Sequence, residues 1–483
     1  MDIASSSQHP DLDRVGSVHL VGIGGAAMTP LATILLDKGV RVSGSDLVDS
    51  SALNDLRGLG AQVVLGHHAE HVGEVDVVVV SSAVPQDNPE IESALARGIP
   101  VIKHSVALGS LMRRRRGVAI AGTHGKTTTT ALAATVLEHA GLDPTFHVGS
   151  ELLNFHRSGR YGRGDLLVAE ADEFDRRFLD YDPEIAVVTS VQPDHLDYFG
   201  DFASLKGAFE EFLARVRPGG TAVISADDPV ARDLPVGHAR RVTYGSAFDA
   251  DWRLLGWEPA GRLQGYFTLR DPEGHVDDLE IHLTGRHNAM NAAAVVAVCS
   301  TLGLSMDEIA AGLSTFQGTR RRFEVVGEVG GITVVDDYAH HPTAIGVTLA
   351  AARAHFGCPL WAIFQPHTVH RTLSLWNDFL RCFQSADHVI LVPTYRPPGR
   401  EAQDEDPTVA DLAREMQHPD ARWLPAEEVP RVIVASAQRG DLVLILGAGD
   451  VWTVGPQIIA GLEARLEATE SPAGMREDLP LGH

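Results

Sequence analysis

A chain of 483 residues is too long for one hydrophobic core, so roughly two to four domains are expected. With 40 lysines and arginines against 64 acids, the net charge of -24 argues against nucleic acid or an anionic membrane surface as the main partner. A hydrophobic content of 44% with only 6% aromatics, and frequent Gly and Val, suits α/β layers better than an aromatic-rich β protein. No run approaches the roughly 18 apolar residues of a membrane span. The N-terminus also lacks a basic-then-apolar signal pattern, so a soluble cytoplasmic protein is expected. Cys299, Cys358 and Cys382 have no paired spacing, which predicts buried free thiols instead of disulfides or a zinc knuckle.

In chain order, residues 1 to about 14 lack periodicity and read as a mobile arm. Val18 to Val21 is an apolar strand that runs into Gly22-Ile-Gly24-Gly25-Ala-Ala27. A helix over Met28 to Lys38, a strand from Arg41 to Ser43 and Gly44-Ser45-Asp46 follow. An acid about twenty residues beyond Gly-x-Gly-x-x-Ala is the dinucleotide fingerprint, although the same turn can hold any diphosphate. Asp76 to Ser82 is a further buried strand, and the basic run Arg113 to Arg116 reads as a solvated hinge.

Gly117-Val-Ala-Ile-Ala-Gly122-Thr123-His124-Gly125-Lys126-Thr127-Thr128 is the stretch on which the chain is organised. An apolar strand breaks at Gly-x-x-Gly-Lys-Thr and resumes as a helix, the signature of a phosphate cradle. Its backbone N–H groups and helix N-terminus face the anion, Lys126 reaches a terminal phosphate, and the Thr127 hydroxyl suits a magnesium ion. The next strand delivers Glu170-Ala-Asp172-Glu173-Phe-Asp175, and the one after it ends in Gln192-Pro-Asp194-His195. Acids and an imidazole at neighbouring strand ends suit divalent cations on a triphosphate. Residues from about 240 to 283 alternate with aromatics and predict a small antiparallel addition. A helix opens near Gly285-Arg-His287-Asn288, with Asn288 either a polar contact or a cap. A third strand-helix series follows Gly318, with strand ends at Asp336-Asp337-Tyr338-Ala-His340, at Gln365-Pro-His367-Thr-Val-His370-Arg371 and at Gly447-Ala-Gly449. Residues 398 to 407 read as a mobile loop and the tail after about 468 as disordered.

The fold class is therefore α/β in three domains. Residues 15–116 form a Rossmann-like domain, 117–318 a P-loop ATPase-like parallel sheet with the antiparallel addition, and 319–468 a second Rossmann-like domain.

Taken together, Val21 to Met28, Ser43 to Asp46, Gly122 to Thr128, Glu170 to Glu173, Asp194 to Asp197, Gly285 to Asn288, Arg321 to Glu324, Asp337 to Pro342 and Phe364 to His367 resemble the Mur ligase family from about residue 17 to 460. The resemblance implies an ATP-dependent ligase of peptidoglycan precursor biosynthesis, monomeric or homodimeric. It would join L-alanine to the lactyl carboxylate of UDP-N-acetylmuramate through an acyl phosphate, releasing ADP and phosphate. By motif position, Gly22, Gly24, Gly25, Ala27, Ser45 and Asp46 would bind the UDP-sugar, which replaces the dinucleotide reading. Gly122, Thr123, His124, Gly125, Lys126, Thr127 and Thr128 would bind ATP, with Asn288 and Asn291 on its adenine side and Arg322 and Asp337 contributed by the third domain. Two Mg2+ ions, or Mn2+, would be held by Thr127 and Glu170 and by His195. Lys126, His195 and Arg322 would be the catalytic set, and Tyr338, His340, His367 and Arg371 would surround the amino acid.

Ala27, Ser190 and Thr368 stand where many or some relatives carry glycine, asparagine and arginine, and Lys206 is the candidate for the carbamylated lysine of several relatives. The nearest alternative is a ligase recycling a tripeptide onto the same sugar nucleotide. A nicotinamide oxidoreductase rests on Gly22 to Asp46 alone, and the set Lys126, Thr127, Glu170 and His195 argues against a non-catalytic sensor.

Overall fold

The computed structural model describes residues 10–261, 263–396 and 408–470. The expected mobile loop at 398–407, residues 1–9 of the expected arm and the tail beyond 470 lie outside the described residues. The chain divides into two compact units, one ending at Arg320 and the other beginning at Arg321.

The first unit carries two sheets. Strands β1 (Ser17–Val21), β2 (Arg41–Asp46), β3 (Gln62–Leu65), β4 (Val77–Val80) and β5 (Val101–Lys103) form a parallel sheet in the order β3-β2-β1-β4-β5. The chain reverses its direction of winding between β1 and β4, and the glycine turn after β1 opens at that crevice. The second sheet contains β6 (Arg116–Ala121), β7 (Thr145–Leu152), β8 (Arg157–Arg160), β9 (Leu166–Glu170), β10 (Ile185–Val188), β11 (Thr221–Ser225), β12 (Arg240–Gly245), β13 (Trp252–Ala260), β14 (Gln264–Arg270) and β15 (Val276–Ile281). Its order is β15-β14-β13-β12-β11-β10-β6-β9-β7-β8. Strands β4 and β10 are apolar throughout because helices or loops cover both faces, the pattern of a buried parallel sheet.

Only part of the expected antiparallel addition is antiparallel. β12 runs parallel to β11, and the reversal begins with the β13–β14 and β14–β15 pairs. Two further expectations are corrected. Leu12 is fully buried and its N–H donates to Ser110 Oγ at 3.1 Å, so residues 10–14 are anchored. The expected solvated hinge at Arg113 to Arg116 is solvated only in its first half: Arg113 and Arg114 are exposed, with Arg114 paired to Asp11, whereas Arg115 donates to the Gly164 carbonyl and lies over Tyr161, and Arg116 forks onto Glu184.

The second unit holds β16 (Glu324–Val329), β17 (Ile332–Asp337), β18 (Leu360–Phe364), β19 (His388–Leu391), β20 (Ala421–Trp423) and β21 (Leu442–Leu446), in the order β16-β17-β21-β18-β19-β20. All its pairs are parallel except β16–β17. All three cysteines are free, but only Cys299 is buried. No helix among the described residues is long and apolar enough to cross a membrane.

Candidate active site

Strand β6 lies between β10 and β9, so the loop after it faces the ends of both neighbours. Gly122 sits at φ +136°, and a Cβ there would come within 2.0 Å of Thr189 Oγ1; Gly125, at φ +85°, has Asn291 Oδ1 where a Cβ would need room. Only glycine fits either position. The end of β10 then fastens the loop. Thr189 Oγ1 donates to the His124 carbonyl at 2.5 Å, Thr123 N–H to the Ser190 carbonyl at 2.9 Å, and His124 N–H to Ser190 Oγ at 3.1 Å. Ser190 thus serves as a loop anchor.

Lys126 opens the helix Lys126–His139. Its Nζ donates to the Gly122 carbonyl at 2.6 Å and to both oxygens of Glu173, at 2.8 and 3.1 Å. Burial works against the lysine's charge, but Glu173 and Asp172 outweigh it and hold Lys126 above the ordinary lysine range. Burial likewise pushes the Glu173 carboxyl up, against the pull of Lys126. One residue on, Thr127 Oγ1 donates to Glu170 Oε2 at 3.2 Å, and Glu170 Oε1 accepts the Gly149 N–H at 2.6 Å.

His195 occupies a left-handed backbone position at φ 53° and packs its ring 5.0 Å from that of Phe174. It meets Asp172 and Glu173, with one ligand atom of each residue within 4.8 Å of the others. Two carboxylates and an imidazole are a fitting donor set for a divalent cation, as are Thr127 and Glu170 next to them. The expected trio of Thr127, Glu170 and His195 therefore lies in two adjoining groups. Asp172 and Glu173, which the sequence offered only as members of an acidic run suited to divalent cations and not as individual ligands, are the two acids that meet His195.

Thr128 is buried in the first turn of the same helix. Asn288 and Asn291 are also buried, on the helix Arg286–Thr301. Asn291 Nδ2 donates to Asn288 Oδ1 at 3.1 Å, and Asn288 Nδ2 to the Thr284 carbonyl at 2.8 Å. Asn288 is not the cap, a position taken by Gly285. Lys206, on the helix Phe202–Ala214, is half-exposed and pairs with Glu210 at 3.8 Å.

In the first sheet's turn, Gly22 N–H donates to the Ser45 carbonyl at 2.8 Å, Gly25 N–H to the Gly22 carbonyl, and Gly24 N–H to Asp46 Oδ2 at 2.9 Å. Ala27 precedes the helix Met28–Asp37. Ser45 is fully buried and its hydroxyl donates to Glu90 Oε2 at 2.5 Å. Glu90 also faces His19, His67 and His71, and although burial works against its charge, His19 and Ser45 hold its carboxyl down at about 2. Periodicity gave no sign of this cluster, because its members come from four separate segments.

In the second unit, Asp337 accepts the N–H groups of Phe323 and Ala339, each at 2.8 Å, and the Arg322 guanidinium lies 4.9 Å from the Tyr338 ring centre. His340 packs edge-on to Tyr338 and to His367, and His367 stacks on Tyr395. Arg371 Nη1 lies 3.2 Å from His367 Nδ1. The structure thus gathers Tyr338, His340, His367 and Arg371, and adds Tyr395, which the sequence reading missed. The short helix Val369–Ser374 begins after His367, and Thr368, at φ 65°, caps it by accepting the Arg371 N–H.

Three family sequence models match the chain: "Mur ligase family, catalytic domain" over residues 17–116, "Mur ligase middle domain" over 120–299, and "Mur ligase, glutamate ligase domain" over 321–449. The chain is 43% identical over 457 residues to a UDP-N-acetylmuramate–L-alanine ligase of Anaeromyxobacter sp., covering 93% of this chain and 99% of that protein. The crystal structure of the UDP-N-acetylmuramate-alanine ligase of Thermotoga maritima is similar at a TM-score of 0.79 with 27% identity, covering 94% of this chain and 100% of that one. A murein peptide ligase of Psychrobacter arcticus is similar at a TM-score of 0.69 with 25% identity, over 92% and 98% of the two chains.

Proposed function

The chain belongs to the Mur ligase family, and from that membership we propose that this ATP-dependent ligase joins L-alanine to the lactyl carboxylate of UDP-N-acetylmuramate through an acyl phosphate, releasing ADP and phosphate. The observation that carries the reaction type is Lys126, set at a helix start beside the Thr127–Glu170 pair. The choice of L-alanine over a tripeptide is supported by the full-length likeness to relatives named for alanine.

A carboxylate attacking a phosphate meets like-charge repulsion. Lys126 offsets it as a fixed charge at the transferring group, commonly the dominant catalytic term in such sites. The N–H groups of the Gly122–Thr128 loop orient the phosphates through the helix N-terminus. Magnesium, for which Thr127 with Glu170 and His195 with the acids beside it are fitting holders, would supply further charge neutralisation when bound. We assign Arg322 to the catalytic set and Asp337, Asn288 and Asn291 to nucleotide contacts by family position. Arg371, a planar fork beside His367, suits the carboxylate of the amino acid.

The test is phosphate release with UDP-N-acetylmuramate and ATP against a panel of amino acids and the L-Ala–D-Glu–diaminopimelate tripeptide. Release that requires L-alanine supports the proposal. Release with the tripeptide alone would transfer the chain to the recycling reaction, and release needing no sugar nucleotide would end the ligase reading.

A further inference from the structure

Two histidines with no role in the chemistry above face each other inside the first unit. His104 opens the helix His104–Arg113, and His147 lies in β7 between Phe146 and Val148. Both are buried, at 6% and 3% exposure. A buried imidazole is costly unless it is hydrogen-bonded. His147 Nε2 lies 2.9 Å from the Ala27 carbonyl oxygen and 3.1 Å from His104 Nε2.

A carbonyl only accepts, so the ring nitrogen facing it carries a proton. His104 also faces this carbonyl, and two Nε2–H groups cannot point at each other across 3.1 Å, so only one ring donates through Nε2; His147, 2.9 Å from the oxygen, is placed to do so. Both rings are neutral: burial pushes His147 down to about 4 and His104 well below its ordinary value. His147 Nδ1 has no hydrogen-bond partner among the described residues, so the ring makes its polar contacts through one nitrogen.

Ala27 closes the glycine turn and precedes the helix Met28–Asp37. A second tie lies farther along the same helix, where Arg157 of β8 pairs with Asp37 at 3.0 Å. The β7–β8 hairpin therefore grips this helix at both ends. Two residues beyond His147, Gly149 N–H holds Glu170, the carboxylate beside Thr127.

We propose that His147, backed by His104, is a positioning residue for sugar-nucleotide binding: it fixes the Ala27 carbonyl, and with it the glycine turn, on the strand that also sets Glu170. This rests on the reading that the Gly22–Ala27 turn receives the diphosphate of UDP-N-acetylmuramate. His147 acts through that turn and touches no reacting atom.

The test compares His147→Leu with His147→Gln in the full chain, since a glutamine Nε2 can restore the donor. UDP-N-acetylmuramate binding is measured by calorimetry without ATP, and Michaelis constants are measured for both substrates. His147→Leu is expected to weaken the sugar nucleotide about tenfold, the value of one lost buried hydrogen bond. The constant for ATP should move less than about twofold, and His147→Gln should recover most of the loss. Unchanged sugar-nucleotide affinity in His147→Leu, an equal loss for ATP, or no recovery in His147→Gln would overturn the proposal. If His147→Leu does not fold, His104→Ala, which removes only the backing ring, and His147→Gln decide by the same readout. Wild-type protein that fails to bind UDP-N-acetylmuramate would instead overturn the function proposed above.

Discussion

Glu173 determines how Lys126 is held. An isolated buried ammonium is costly, and the carboxylate 2.8 Å away keeps it charged in a pocket that leaves the Glu173 side chain only 2% exposed. The reverse loss is milder, because Glu173 is already pushed up by burial and can take a proton when its partner is gone. Lys126→Met is therefore expected to stay folded, with a thermal midpoint within a few degrees of wild type, while turnover in the phosphate-release assay falls by about 10² to 10³ or more. Turnover within a few-fold of wild type would remove Lys126 from the mechanism. The acids of this site were plain in the sequence as a run, yet their partners were not. The buried apolar run of β9 stops at Glu170, and the chain then bends so that Glu170 meets Thr127 while Glu173 turns back to Lys126. No periodic rule covers such a bend, and His195 joins Asp172 and Glu173 through a left-handed backbone position that spacing does not announce.

Among elements, the buried parallel strands were the most legible, because a strand covered on both faces is a continuous apolar run bounded by turns. β7 and β8 were not: β7 carries a histidine, a glycine and a glutamate, and β8 is the sequence Arg-Ser-Gly-Arg, whose place is set by the helix and strand it packs against. β17 shows what an element's end can hold. It terminates in Asp336 and Asp337, adjacent acids with separate partners. Asp337 takes backbone N–H groups, whereas Asp336 Oδ2 takes Arg321 Nε at 3.0 Å and its Oδ1 has no hydrogen-bond partner among the described residues. Burial raises Asp336 to about 6, more than Arg321 lowers it. A carboxyl raised on folding favours the folded state when protonated, so its stabilisation is complete below its ordinary value of 3.8 and is lost as pH rises through about 6. A displacement of this size is worth roughly 3 kcal/mol at most. Asp336→Asn cannot titrate, so between pH 4 and 7 its melting temperature is expected to fall less with rising pH, or rise more, than that of wild type. Parallel curves would show that Asp336 is charged throughout.

At the scale of the whole molecule, each of the three sheets presents its polar residues at the carboxyl ends of its parallel strands, where open α/β sheets bind ligands. The first has the turn after β1, the second the loop after β6 with the ends of β9 and β10, and the third the ends of β17, β18 and β21. Within the second sheet, strand order explains why the ends of β6, β9 and β10 meet, and it was invisible in the sequence, since β6 separates β9 from β10 although both follow it in the chain. The proposed chemistry makes a demand on the first unit that no single residue reveals. A carboxylate is a poor acyl donor, so its oxygen must first become part of a leaving group. In the proposed reaction Lys126, at the helix start, meets the terminal phosphate, so transfer of a phosphoryl group, not of a nucleotidyl group, is the expected route. One difficult substitution is thereby replaced by two easier ones, with the intermediate carried on the substrate. Heavy oxygen placed in the lactyl carboxylate of UDP-N-acetylmuramate is therefore expected to appear as one labelled atom in the released phosphate, read by mass spectrometry. Borohydride added with ATP present and L-alanine withheld is expected to trap the reduced alcohol. Unlabelled phosphate, or diphosphate in its place, would show that the carboxylate is activated as an adenylate, and the role given to Lys126 would then pass to the other end of the triphosphate.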